Sequence, residues 1–128
     1  LDEEKVFVKS GIITYMFDSF KCLRTFDKLR IRKNKGLFYR GSTYIEKENI
    51  TKLKKIVSSW KELFNEASEE FILTGFFNEK LNEYERTNYN KNEVMESLEN
   101  LITLCEKAEK ENKIIRCKKI TVRMENNK

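Results

Sequence analysis

Residues 49–71 read NITKLKKIVSSWKELFNEASEEF, and this stretch decides the fold because its apolar residues recur every three or four positions. That spacing places them on one face of a helix, with lysine and glutamate on the opposite face. The apolar residues are Ile50, Leu53, Ile56, Val57, Trp60, Leu63, Phe64, Ala67 and Phe71. The pattern predicts an amphipathic helix over 49–71 that begins at Asn49 as its N-cap and docks Trp60 on the centre of the core.

The segments before this helix predict one further helix and one strand. Apolar residues from Gly11 to Leu29 are dense and largely fit helical spacing, so we expect a buried helix there with Ser10 as its N-cap. Residues 30–36 are basic and end in a glycine, which is typical of a loop. Residues 37–45 are rich in aromatic and β-branched side chains, which favours a strand or a small hairpin.

The segments after the helix predict a strand, a loop, a helix and a second strand. The aromatic run 71–77 favours a strand or tight loop, and the polar residues 78–90 have no clean period, which indicates a surface loop. Asn90 and Glu93 have the spacing of a capping box, and Asn112 is placed to end the helix that they begin. Alternating apolar and polar residues in 114–124 predict a half-exposed strand with a cationic outer face.

Together these segments predict an α+β fold in a single domain, residues 1–128. About three helices are expected, the central one packed against a small, mainly antiparallel sheet built from 37–45, 71–77 and 114–124. Hydrophobic residues make up 39% of the 128 residues, which is enough for a core without disulfides. An all-helical fold is the alternative.

The residue types that usually carry catalysis are scarce. The chain has no histidine, which removes the usual general base, the His-dependent nucleophiles and the commonest metal ligand. Its four glycines do not form a phosphate-binding loop. Cys22, Cys105 and Cys117 lie far apart, so we expect reduced cysteines in a cytoplasmic protein. We therefore expect a protein that is not an enzyme, with no catalytic residue, no metal and no cofactor.

Charge is segregated along the chain, although the net charge is +5. The segment 62–85 has seven glutamates against one lysine, and we expect an acidic surface here that binds a basic protein. Its candidate residues are Glu62, Glu66, Glu69, Glu70, Glu83 and Glu85, with Tyr84 and Tyr89 as exposed aromatic anchors.

The opposite charge dominates residues 28–45, which hold six cations and no acid. Such a stretch can contact phosphates, and the aromatic residues beside it, Phe38, Tyr39 and Tyr44, would stack on bases. The candidate nucleic-acid-binding residues are Lys28, Arg30, Arg32, Lys33, Lys35 and Arg40.

Residues 36–120 resemble small bacterial toxin-immunity proteins of the contact-dependent growth-inhibition type. The resemblance is carried by a lysine-, glutamate- and asparagine-rich helix over 90–112 with a strand after it, and by a run from Tyr44 to Gly75. That run comprises Tyr44, Ile45, Glu48, Asn49, Ile50, Leu53, Ile56, Ser59, Trp60, Leu63, Phe64, Ala67, Phe71, Leu73, Thr74 and Gly75. The resemblance implies a cytosolic domain without catalytic residues that neutralises a cognate toxin, often a nuclease, by binding over or near its active site.

Two functions of different kinds are therefore the leading hypotheses. The first is a protein-binding domain, an immunity protein whose partner is a cognate toxin. The alternative is a nucleic-acid-binding protein that uses the basic stretch 28–40. An accessory or scaffold subunit is a third hypothesis, and an enzyme comes last. No apolar run approaches the ~20 residues that span a bilayer, so no membrane partner is expected.

Overall fold

A computed structural model describes residues 5–38, 40–118 and 121–126, and it confirms the predicted α+β class. In chain order the elements are β1 Lys5–Phe7, α1 Ser10–Met16, a 3₁₀ helix Phe17–Cys22, β2 Arg24–Phe26, β3 Lys33–Lys35, β4 Thr43–Ile45, α2 Glu48–Phe64, β5 Glu70–Asn78, β6 Glu83–Asn90, α3 Lys91–Glu111, β7 Ile114–Lys118 and β8 Thr121–Glu125.

Six of the strands form the main sheet, in the order β1-β8-β7-β4-β2-β3, and every pair of neighbours is antiparallel. Successive side chains of a strand point to opposite faces of a sheet. Val122 and Met124 of β8 are accordingly buried, while Arg123 between them lies on the other face. Buried residues of β1, β4, β7 and β8 share one hydrophobic cluster with buried residues of all three α-helices, so these helices pack on the same face of the sheet.

Helix α2 is shorter than predicted. It ends at Phe64 and not at Phe71. The last four carbonyls of a helix have no partner within it. Here Lys91 Nζ donates to two carbonyl oxygens just past the helix end, those of Asn65 and Ala67, at 3.1 Å each. Phe71 lies instead on β5, where its ring stacks on that of Phe64 at 5.6 Å.

Two predicted roles on α2 are also wrong. Asn49 does not cap the helix, which begins at Glu48; its Oδ1 accepts a hydrogen bond from the Arg24 backbone N–H at 3.0 Å. This bond ties α2 to β2 and satisfies a buried amide. Trp60 lies half-buried at the edge of the core, where its Nε1 donates to Ser19 Oγ at 2.8 Å. Leu53 and Val57 occupy the fully buried part of the stripe.

The single helix predicted over residues 11–29 is wrong in extent. It divides into α1, the 3₁₀ helix and β2, and Ser10 is the first residue of α1, preceded by Lys9 without a side-chain cap. Ser19 Oγ donates to the Met16 carbonyl at 2.6 Å. Such side-chain bonds to the backbone compete with regular helix hydrogen bonds, which is consistent with the change of geometry at this point.

The strand predictions need three corrections. The basic loop 30–36 contains β3, and only Thr43–Ile45 of 37–45 is a strand. Residues 114–124 form two strands, β7 and β8, where one was predicted. The strand predicted over 71–77 exists as β5, but it pairs only with β6 and stays outside the main sheet.

The third helix is predicted well at both ends. Asn90 Oδ1 accepts from the Glu93 backbone N–H at 3.0 Å, and Asn112 adopts the left-handed conformation, with φ 56° and ψ 47°. The Asn90 hydrogen bond and the left-handed conformation of Asn112 both help to satisfy backbone groups that a helix terminus leaves unpaired. The stripe of Val94, Leu98, Leu101, Cys105 and Ala108 is buried.

The three cysteines are free, and their reactivities are expected to differ. Cys22 is exposed, whereas burial raises the pKa of Cys117 to about 12 and raises the pKa of Cys105 well above its ordinary value. Because the thiolate is the nucleophile, a maleimide at mildly alkaline pH is expected to label Cys22 at least about 100-fold faster than the other two. Mass spectrometry checks this: one label on the native chain and three in denaturant is the expected result, and rapid addition of a second native label contradicts it.

Candidate protein-binding surface

Strands β5 and β6 form a two-stranded sheet of their own, which we call the arm. Its register runs from Glu70 opposite Asn90 to Asn78 opposite Glu83, with an irregularity between Thr74 and Phe77. The eight residue steps from Glu70 to Asn78, at ~3.4 Å each, make the arm about 27 Å long. Residues 78–90, predicted as a loop, are therefore mostly strand. They lack an alternating pattern because most of β6 is exposed on both faces.

The base of the arm is fixed to the core by aromatic rings. Phe71 of β5 and Tyr89 of β6 are opposite each other, with ring centroids 5.9 Å apart, and Phe71 stacks on Phe64 of α2. The Lys91 backbone N–H donates to the Glu69 carbonyl at 2.8 Å. The base is thus continuous with the body of the protein.

The far half of the arm, residues 75–85, is almost wholly exposed. Five of the ten large exposed hydrophobic side chains in the described residues belong to the arm. Ile72 lies nearer its base, and the other four lie in the far half: Phe76, Phe77, Leu81 and Tyr84. The rings of Phe77 and Tyr84 meet edge to face at 5.1 Å. Exposed apolar groups gathered in this way mark interaction sites on soluble proteins.

An open groove of about 530 Å³ separates part of the arm from α1. Its lining is mainly hydroxyl and apolar, with Thr14 on one side and Thr74 and Thr87 on the other, together with Lys9 and Glu85. Its structural effect is that the far half of the arm stands clear of the helices.

The predicted acidic surface is divided between two places. Glu62 lies on α2, Glu66 and Glu69 follow it, and Glu70 at the arm base accepts hydrogen bonds from the side chains of Asn88 and Asn90. Glu83 and Glu85 lie near the other end of the arm. Glu70 is opposite Asn90. At ~3.4 Å per residue, Glu85 therefore lies about 17 Å and Glu83 about 24 Å from Glu70 along the arm. All six glutamates are exposed, but they do not form one continuous patch.

One of the two predicted aromatic anchors is wrong. Tyr84 is exposed as predicted, whereas Tyr89 is only 3% exposed and belongs to the core. The two residues are five positions apart on one strand, and an odd separation places side chains on opposite faces. The sequence prediction also missed Phe76, Phe77 and Leu81, which surround the turn; the aromatic pair next to the polar run NEKLNE was the available signal.

The basic stretch is exposed, but Tyr44 beside it is not free to stack on bases. All six predicted cations, Lys28, Arg30, Arg32, Lys33, Lys35 and Arg40, are exposed. Tyr44 is buried, and the Arg32 guanidinium lies 5.1 Å from the centre of the Phe38 ring. The prediction that Tyr44 presents a stacking surface is therefore wrong, and Tyr39 lies outside the described residues.

The shifted carboxylate in the described part of the chain belongs to helix packing. Glu109 of α3 accepts hydrogen bonds from the Thr51 hydroxyl and from Lys54 Nζ, the latter at 2.9 Å. These bonds hold the pKa of Glu109 below its ordinary value, and the same pair raises the pKa of Lys54. Within residues 5–38, 40–118 and 121–126, no group of cysteine, aspartate and glutamate side chains is placed to hold a metal ion.

No family model, curated protein or solved structure matches this chain. None of the helices in the described part combines the length and the apolar character that crossing a membrane requires.

Proposed function

We propose that the protein is a non-enzymatic, cytoplasmic immunity protein that binds a cognate toxin through the arm and covers the active site of that toxin. The observation that carries this proposal is the set of exposed aromatic and aliphatic side chains on the far half of an arm with a fixed base. The resemblance of residues 36–120 to small bacterial immunity proteins supports the same conclusion.

The shape of the arm suits insertion into a cleft. Two paired strands lie only ~4.8 Å apart, so the arm is narrow in one direction. Phe76, at 67% exposure, and Leu81, at 66%, lie on either side of Phe77 and the polar turn. Aromatic side chains that fill pockets supply most of the energy of typical interfaces, and burial of this apolar surface stabilises a complex.

The charge of the far half favours a cleft with a basic rim. Glu79, Glu83 and Glu85 outnumber Lys80, the single cation of residues 75–85. An active site that holds a phosphate backbone has the complementary charge, and such complementarity accelerates association. We therefore propose a nuclease as the class of toxin.

The direct test replaces two exposed residues of the arm and two equally exposed residues elsewhere. Phe76→Ser with Leu81→Ser is expected to weaken binding of the toxin by at least about 100-fold, since loss of a central anchor typically costs 2 kcal/mol or more. The matched control is Leu29→Ser with Ile31→Ser in the β2–β3 loop, whose side chains are 72% and 74% exposed.

The probe is the catalytically inactive form of the toxin domain encoded beside the gene in its source genome. Calorimetry measures the dissociation constant, and protection of cells that express the active toxin gives an independent readout. The control pair is expected to stay within about threefold of the unmodified protein. The arm proposal fails if both pairs weaken binding equally, and the immunity proposal fails if the unmodified protein does not bind the toxin.

A further inference from the structure

The face of the main sheet opposite the helices is strongly basic. The strand register aligns one row of side chains across all six strands of this face, and the row consists of Lys5, Arg123, Arg116, Tyr44, Phe26 and Lys33. Phe26, Tyr44 and Ile114 form a small cluster here that is separate from the main core. We call this surface the basic sheet face.

Flanking rows add further cations to the basic sheet face. Arg24 lies opposite Lys35, and Lys118 lies opposite Thr121. Seven cations share the face, namely Lys5, Arg24, Lys33, Lys35, Arg116, Lys118 and Arg123, while Glu125 is the one acid among the paired strand residues on it. Five of these cations come from strands outside the basic stretch 28–40.

The arrangement brings like charges close together. Arg116 is directly opposite Arg123, and like charges in that relation destabilise a sheet. Arg116 donates to Glu125 at 3.0 Å and to Ser42 Oγ at 3.1 Å. The ion pair with Glu125 neutralises the Arg116 guanidinium. Within the described ranges, Arg24, Lys35, Lys118 and Arg123 make no ion pair. A polyanion would relieve this repulsion.

We infer that the basic sheet face binds single-stranded nucleic acid. Six strands at ~4.8 Å spacing make a surface about 24 Å across, long enough for several nucleotides to contact the cations on both sides of the buried Tyr44 and Phe26. Phe7 lies on this face opposite Thr121 and is 61% exposed, so it offers a ring on which an unpaired base can stack. Among the described residues of the six strands, Phe7 is the one exposed large apolar side chain on this face, whereas binding to a membrane surface requires a wider apolar area. This inference does not depend on the proposed immunity function.

The test measures binding of a fluorescein-labelled oligouridylate of about 20 nucleotides by fluorescence anisotropy at several salt concentrations. Lys118→Glu with Arg123→Glu is expected to weaken binding at least tenfold and to reduce the salt slope by about 1.4, since each phosphate contact contributes ~0.7 for a single strand. Glutamate at position 123 faces Arg116 and Lys5, so no loss of stability is expected from that change.

The matched control is Lys52→Glu with Lys55→Glu on the exposed side of α2, which lowers the net charge from +5 to +1 just as the first pair does. This control is expected to weaken binding less than about threefold. Phe7→Ala is expected to weaken it about tenfold through loss of stacking. If circular dichroism shows that the first pair is unfolded, Arg24→Gln with Lys35→Gln replaces it with the same expected loss.

Any of the following results would overturn the inference. The basic sheet face is not the site if the unmodified protein fails to bind the oligonucleotide at low salt, or if the control pair weakens binding as much as the face pair. Tighter binding to polyglutamate or to vesicles of anionic lipid, with no effect of Phe7→Ala, would identify a different polyanion as the ligand.

Discussion

Gly11→Ala is expected to destabilise the protein by about 2 kcal/mol, although alanine is the better helix former of the two. A Cβ atom at Gly11 would lie 1.8 Å from the Tyr89 Oη, far inside van der Waals contact. Tyr89 has little room to withdraw, because its ring is buried and stacks on Phe71. The free energy of unfolding in urea measures the effect. Helix propensity alone predicts the opposite sign, so the experiment separates the two.

Removal of the hydroxyl group is expected to rescue this variant. Tyr89→Phe deletes the Oη and leaves ring carbon Cζ as the nearest atom, 3.2 Å from the added methyl group. In a double-mutant cycle, Gly11→Ala with Tyr89→Phe is therefore expected to be more stable than Gly11→Ala alone. Gly75→Ala serves as the control, because its nearest neighbour is the flexible Glu85 carboxylate at 3.3 Å. A neutral Gly11→Ala would show that the arm base adjusts. A destabilised Gly11→Ala without rescue would show that the Tyr89 hydroxyl is not the cause of the loss.

The two long helices could be predicted from the sequence because a repeated apolar spacing identifies a helix without knowledge of its neighbours. Their ends were harder to predict. Asn90 and Asn112 fulfil local capping rules, and both were recognised. Lys91 is distant in sequence, and only in the folded chain does it donate to the carbonyls of Asn65 and Ala67, just past the end of α2 at Phe64.

The short strands gave no periodic signal. β2, β3 and β4 contain three residues each, too few for an alternating pattern to stand out. Their positions depend on pairing partners, as in the contact of β4 with β7, which lies about 70 residues further along the chain.

The candidate surfaces show the same limit. The exposed far half of the arm could be recognised in part, since Tyr84 was predicted to be exposed, but the burial of Tyr89 depends on the packing of Phe71 and Phe64. The basic sheet face could not be predicted from a single stretch. Lys5 and Lys33 belong to its two edges, and only the register of six strands aligns them with Arg116 and Arg123.

Shortening the arm is expected to abolish binding of the toxin while the protein stays folded. In this variant Asn-Gly replaces residues 75–85, so that the pair Thr74 and Arg86 flanks a two-residue turn, a connection that suits antiparallel strands. All but one of the removed residues are exposed, and the shorter loop closes at lower entropic cost. The free energy of unfolding is therefore expected to change by less than about 1 kcal/mol.

The loss of affinity is expected to exceed about 1000-fold, because four exposed apolar anchors leave together: Phe76, Phe77, Leu81 and Tyr84. Calorimetry with the inactive toxin domain measures it, and unchanged binding would mean that the arm is not the recognition element. The basic sheet face belongs to the other sheet, so the shortened protein is expected to bind oligouridylate as before. Parallel loss of both activities in a folded variant would contradict the separation of the two surfaces. If the shortened protein still binds oligouridylate but no longer binds the toxin, recognition of the toxin is assigned to the arm.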